Sequence, residues 1–225
     1  MDSTYYLAKA ILKPWLAGWF RWHIEGLERI PKQGPAILAF NHIAYLDALA
    51  AAYVVDCAGR TPRFLAKQEL FDDKRIAWVL KGAHQIPVSR GTATAPMALD
   101  NAVAALERGE AVVIFPEGTV TTDPNLYPME PKTGTARIAL LSGVPVTPCA
   151  LWGTANIWPK GYAKHWWPPR QDVCVRIGEP MQCTGDPDSR EDWRRVGDEV
   201  MDRISLLVSS LMPVVPDRRR PKKAA

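Results

Sequence analysis

Residues 111–115 (AVVIF) form an unbroken apolar run between Gly109-Glu110 and Pro116, and they limit the fold of this chain more tightly than any other stretch. A run so short and so uniformly apolar has no polar side to show to water. As a strand it must be covered on both faces. Residues 36–40 (AILAF) repeat the pattern, and residues 144–151 (VPVTPCAL) nearly do. Further strands are expected at 63–67 (RFLAK), 84–89 (HQIPVS) and 173–180 (VCVRIGEP). Between them lie longer stretches with helical character, at 45–58, 69–81, 95–109, 133–143 and 189–211, most of them closed by a glycine. Strands alternating with helices predict an α/β fold: a single domain with a mostly parallel central sheet and helices on both faces. A chain of 225 residues suits one such domain.

Two segments lie outside that alternation. Residues 4–24 (TYYLAKAILKPWLAGWFRWHI) are dense in aromatics, and their charges are Lys9, Lys13 and Arg21. The pattern predicts two short helical segments kinked at Pro14, apolar around most of their circumference and docked in a bilayer interface. Nine of the twenty aromatic residues are Trp, the residue that gathers at membrane–water boundaries because its ring is apolar while its N–H still seeks a partner. At the other end, residues 217–225 (DRRRPKKAA) hold five basic residues and one acid. That tail accounts for the whole formal charge of +4 and leaves a neutral body. The expected organisation is therefore an interfacial segment at 1–24, an α/β domain at 25–213 and a basic tail at 214–225. Nucleic acid is not an expected partner, since a nucleic-acid surface needs basic residues spread along a face. A short polybasic tail fits anionic lipid instead.

The longest uncharged stretch, residues 138–159, is interrupted by Ser142-Gly143, Pro145 and Pro148, so it reads as a helix end, a turn and a buried strand rather than a membrane span. Cys57, Cys149, Cys174 and Cys183 show neither a CxxC pair nor metal-ligand spacing. They are expected to be reduced thiols, with no metal in the protein.

The chemistry concentrates in three places. Following the first apolar strand, NHIAYLD sets His42 five residues before Asp47. Five residues on a helix turn through about 500°, which leaves two such side chains on different faces. His42 therefore belongs before the helix and Asp47 in its first turn, where a carboxylate is favoured and meets the imidazole across the loop. Such a pair fixes the tautomer and leaves the second ring nitrogen as a base. A structural histidine satisfied by a neighbouring acid fits the same letters. The strand at 111–115 runs into Pro116-Glu117-Gly118-Thr119, an acid and a flexible backbone at the edge where open α/β sheets bind ligands. The strand at 84–89 ends in Arg90, suited to bidentate capture of phosphate or carboxylate.

NHIAYLD, QIPVSR, FPEGT and VPVTP, in that order, resemble the 1-acylglycerol-3-phosphate acyltransferase family of glycerolipid synthesis, over roughly residues 26–180. The resemblance implies direct transfer of an acyl group from acyl-coenzyme A or acyl carrier protein to lysophosphatidic acid. It implies no cofactor beyond the donor itself. His42 would be the general base and Asp47 its orienting partner. Arg90 would hold the acceptor phosphate and Glu117 the acceptor glycerol, with Gly118, Thr119 and Lys132 around the same pocket. Membrane lipid would be a partner, and the location the cytoplasmic face of the cell membrane, peripheral or monotopic. Two positions depart from the family pattern: Val120-Thr121 stand where Arg-Ser often follows FPEGT, and Ser89 stands where Asp often precedes the arginine. Both adjoin the acceptor, so glycerol 3-phosphate, another lysophospholipid or a glycolipid stays open as acceptor. A catalytically silent lipid-binding protein and a thioesterase are the alternatives of other classes.

Overall fold

The structure is a computed structural model, and it describes residues 3–74, 77–88 and 95–219. A seven-stranded sheet runs through its centre in the order β1-β7-β6-β2-β5-β3-β4. The strands are β1 (Phe20–Glu25), β2 (Ala36–Phe40), β3 (Pro62–Lys67), β4 (Ile86–Val88), β5 (Ala111–Ile114), β6 (Val146–Trp152) and β7 (Gln171–Ile177). Every neighbouring pair is parallel except β6 with β7. Among the described residues the six α-helices are α1 (Ser3–Trp19), α2 (Asp47–Cys57), α3 (Ala77–Gly82), α4 (Ala95–Glu107), α5 (Gly134–Ser142) and α6 (Arg190–Leu211). The expected α/β domain with a mostly parallel sheet is therefore what the chain forms.

The alternation of side chains along each strand divides the core into two layers. Ile37 and Ala39 of β2 join Val112 and Ile114 of β5 against α4, α5 and α6. Their neighbours Ala36, Leu38 and Phe40 turn the other way, with Val113, onto Ala50, Ala51, Val54 and Val55 of α2. Both central strands are buried along their whole length, as runs without a polar face require. Fully burying a side chain of Val or Leu size contributes roughly 1.5–3 kcal/mol, so the two central strands anchor both layers. A third cluster, with Leu16, Phe20, Leu46, Ile157 and Val173 at its centre, fastens α1 to the rest.

Two expectations about local structure fail. The amino-terminal segment is one helix containing Pro14, not two, and residues 20–25 leave it to pair in parallel with β7. Its tryptophans are largely engaged by the protein. Trp22 Nε1 donates to Leu16 O at 2.8 Å and Trp19 Nε1 to Trp166 O at 3.1 Å. Trp22 stacks on Tyr53 at 4.3 Å. The helix expected at 69–81 is a short 3-10 turn, Gln68–Phe71, and the brief α3. Among the described residues no helix is long and apolar enough to cross a membrane.

Candidate active site

Because β2, β5 and β6 run in parallel, the loops that follow them emerge at one edge of the sheet. Asn41 fixes the first of these loops. Its side-chain amide donates to Leu151 O and accepts from Leu151 N–H, at 3.0 and 2.7 Å, which binds the end of β2 to β6. The next residue, His42, lies before the helix, and α2 begins at Asp47, as the angular argument requires. His42 Nδ1 is 2.9 Å from Asp47 Oδ2. A carboxylate oxygen accepts, so Nδ1 carries the hydrogen and Nε2 keeps its lone pair. The imidazole also stacks on Phe115 with ring centroids 4.3 Å apart.

Asp47 is fully buried and receives four donors. Oδ2 accepts the N–H groups of Ile43 and Ala44 at 2.6 and 2.7 Å as well as His42 Nδ1. Oδ1 accepts the hydroxyl of Thr154 at 2.6 Å. Thr154 follows β6 and is buried too. The turn that delivers it begins at Gly153 (φ 91°), where a Cβ would stand 2.4 Å from Asp172 O, so only glycine fits.

The loop after β5 grips His42 from the other side. Glu117 Oε1 accepts the His42 N–H at 2.7 Å and Oε2 accepts the Met129 N–H at 3.0 Å. Thr121 N–H donates to His42 O at 2.7 Å, so the backbone of His42 is held at both its N–H and its C=O. Burial pushes the Glu117 carboxyl up to about 7, against the pull of those two amides and of His42. The resemblance gives Glu117 to the acceptor glycerol. In this structure both oxygens are taken by amides of the protein and the side chain is 1% exposed, so it ties two loops together behind His42.

A cavity of about 970 Å³ opens beside this constellation. His42, Gly118, Thr119 and Lys132 all line it, whereas Asp47 and Glu117 lie buried behind. Gly118 takes a left-handed conformation (φ 71°), and Lys132 N–H bonds Pro116 O at 2.8 Å, closing the loop. Arg90 lies outside the described residues. Lys160 and Arg137 line it too, as do Lys9, Lys13 and Lys67. The Arg137 guanidinium sits 4.5 Å over the Trp193 ring, and its Nε is buried with no hydrogen-bond partner among the described residues. The rest of the wall is largely apolar, with Leu12 and Leu16 of α1, Leu49 of α2, Phe64 of β3 and Leu80 of α3. Sequence reasoning missed Thr154, Arg137 and Lys160. Thr154 lies 107 residues from the carboxylate it serves, and nothing local marks it.

The geometry thus combines an oriented imidazole, cations and a long apolar recess. Residues 21–152 match the family model described as Acyltransferase. A chloroplastic 1-acyl-sn-glycerol-3-phosphate acyltransferase of Brassica napus is 30% identical over 159 residues, 70% of this chain and 44% of that protein. A 1-acyl-sn-glycerol-3-phosphate acyltransferase of Bacillus subtilis is 29% identical over 68% of this chain and 70% of its own length. The chain thus spans less than half of the plant relative. The crystal structure of the 1-acyl-sn-glycerophosphate acyltransferase PlsC from Thermotoga maritima superposes with a TM-score of 0.71, at 27% identity, over 96% of this chain and 80% of that one.

Proposed function

Because this chain belongs to the Acyltransferase family, we propose that it moves a fatty acyl group from an acyl thioester to the free hydroxyl of 1-acylglycerol 3-phosphate, giving phosphatidic acid. The observation that carries this reading is the His42–Asp47 pair on the wall of a cavity that is apolar along most of its length and lined by cations. The names of the plant and bacterial relatives point to the same acceptor.

In this mechanism His42 Nε2 takes the proton of the acceptor hydroxyl as its oxygen attacks the thioester carbonyl. Asp47 stabilises the imidazolium that forms. The tetrahedral oxyanion collapses, the C–S bond breaks, and the imidazolium returns the proton to the leaving thiolate. A thioester is already activated, so alignment and a base suffice, and general-base help supplies about 10²–10⁴-fold. Lys132, Arg137 and Lys160, together with Arg90, are assigned to the acceptor phosphate, for which a guanidinium is the best-shaped partner. The donor is a coenzyme A or acyl carrier protein thioester.

Membrane contact belongs to the same proposal. Tyr6, Leu7 and Ile11 on the outer side of α1, and Trp167 beyond β6, are exposed large apolar side chains. They suit peripheral docking on the cytoplasmic face of the cell membrane, close to the lipid acceptor. The test is product analysis. Purified protein given acyl-coenzyme A and 1-acylglycerol 3-phosphate should form a diacyl phosphate, identified by mass. Free fatty acid as the product would mean a thioesterase, and no product from coenzyme A or carrier-protein donors would mean a lipid-binding protein.

A further inference from the structure

After α6 the chain returns to the active-site edge. Residues 215–219 run across the loops that follow β5 and β6 and are fastened to both. Trp152 Nε1 donates to Val215 O at 2.7 Å. The Asn156 side chain holds the backbone on either side of Asp217: its NH₂ donates to Pro216 O at 3.0 Å and its oxygen accepts the Arg218 N–H at 2.6 Å. Arg219 then reaches the other loop. Its guanidinium donates to Pro124 O at 2.5 Å and to Asp217 at 2.6 and 3.0 Å, and it lies over the Tyr162 ring at 5.0 Å. Only 8% of this side chain is exposed, a depth that arginine reaches only when it is paired.

Each attachment point adjoins a support of the catalytic pair. Asn156 ends the short 3-10 turn that begins at Thr154, whose hydroxyl holds Asp47. Pro124 belongs to a turn stitched into one unit: Thr121 Oγ1 donates to Tyr127 O, and Asp123 Oδ1 accepts the N–H groups of Asn125 and Tyr127. Thr121 is also the residue whose N–H holds His42 O. One strap therefore braces the turn behind Asp47 and the turn behind His42. We propose that residues 215–219 position the His42–Asp47 pair, with Arg219 and Asn156 as the positioning residues. The inference rests on the acyl-transfer reading above for its kinetic test.

Neither Asn156 nor Arg219 lines the cavity, so both act through other residues and belong to kcat rather than to substrate binding. A general base must lie within hydrogen-bond reach of the hydroxyl it deprotonates, and a misplacement of about 1 Å arising away from the chemistry costs about 100-fold. Without the Arg219 guanidinium, Pro124 O loses a charged donor and the turn at 121–127 loses its outer anchor. Thr121 moves with that turn and carries the carbonyl of His42. The hydrogen bond from His42 to Asp47 survives the change, so the expected loss is partial. An ordinary packing contact would lower stability and leave kcat alone.

The experiment has two arms, both with the full chain and well below its unfolding transition. In the first, kcat and the KM values for acyl-coenzyme A and 1-acylglycerol 3-phosphate are measured in the parent and four variants. Arg219→Gln and Asn156→Ala should each lower kcat about 10-fold, with both KM values within about 2-fold of the parent. Arg219→Lys, which keeps a charged donor for Pro124 O, should recover part of the loss. Arg218→Gln removes the same charge from the neighbouring exposed position and should leave kcat unchanged. The second arm needs no substrate: the Thr121 N–H should exchange with solvent at least about 10-fold faster in Arg219→Gln and at the parent rate in Arg218→Gln. An active parent whose kcat survives Arg219→Gln overturns the positioning role, whatever the exchange shows. A raised acceptor KM with kcat intact overturns it too, because Arg219 would then be a substrate contact. If the parent transfers no acyl group, the acyl-transfer reading fails and the exchange arm alone decides: faster exchange at Thr121 upholds the brace, and the parent rate removes it.

Discussion

Glu117→Gln distinguishes a loop tie from a substrate contact. In the parent, one carboxyl oxygen accepts the His42 N–H and the other the Met129 N–H. Glutamine has a single acceptor, so whichever way its amide turns, an NH₂ faces one of the two N–H groups. The orphaned buried donor costs about 1–3 kcal/mol. The pH dependence of that cost is the more discriminating readout. Burial raises the Glu117 carboxyl from its ordinary 4.5 to about 7, so across that window the folded protein holds a proton that the unfolded chain has released. This contribution to stability is present in full below pH 4.5 and is lost as pH rises to 7. A rise from 4.5 to about 7 corresponds to about 3 kcal/mol. Glutamine does not titrate, and subtracting one protein from the other cancels the ionisable groups that do not interact with Glu117. The stability advantage of the parent over the variant should therefore shrink by about 3 kcal/mol between pH 4.5 and 8, measured by urea unfolding with linear extrapolation. A difference that stays constant over that range would refute the buried, titrating carboxyl. Kinetics supply a second check: a tie behind the base predicts lower kcat at unchanged acceptor KM. A raised acceptor KM with kcat intact would return Glu117 to the acceptor glycerol.

The remaining predictions concern other parts of the site. Thr154→Val removes the hydroxyl that donates to Asp47 Oδ1 at 2.6 Å. It should lower kcat about 10-fold, with Thr154→Ser restoring it, since a hydrogen bond to a charged group is worth roughly 1.5–3 kcal/mol; an unchanged kcat would show that the other three donors hold Asp47 alone. Lys132→Ala and Arg137→Ala should each raise the KM for 1-acylglycerol 3-phosphate by about 10-fold or more, while an acceptor without phosphate should be indifferent; equal effects on both acceptors would remove the cations from phosphate binding. Replacing Leu7 and Ile11, 58% and 63% exposed, with Ser should weaken sedimentation with anionic vesicles, and unaltered sedimentation would remove α1 from the membrane contact.

What could be read in the sequence follows from how locally each feature is determined. The buried strands at β2 and β5 announce themselves because a strand covered on both faces has no polar residues to interrupt it. The placement of His42 ahead of α2 follows from helix angles alone. β1 was hidden by its neighbourhood. Aromatics crowd residues 15–22, and the density suggests a continuing helix, yet Phe20–Glu25 alternates buried or half-buried with exposed side chains, the period of an edge strand. The expected helix at 69–81 fails within a stretch that ends as a 3-10 turn and six helical residues, too short to show a reliable period. Glu117 was visible as a site residue but its partners were not, because both are backbone amides and no letter marks them. The Lys9–Asp56–Lys13 ion cluster needed the structure for the same reason as Thr154: Lys9 and Lys13 meet Asp56 only when α1 lies on α2.

The central claim is that His42 removes the acceptor's proton during acyl transfer. Its most direct test is free-thiol release from a mixture of dodecanoyl- and hexadecanoyl-coenzyme A, with and without 1-acylglycerol 3-phosphate, in the parent and in His42→Ala. The account predicts release that requires the acceptor and falls at least about 100-fold in the variant, while the variant's unfolding transition stays cooperative. Release independent of the acceptor, or acceptor-dependent release that survives in His42→Ala, would contradict it.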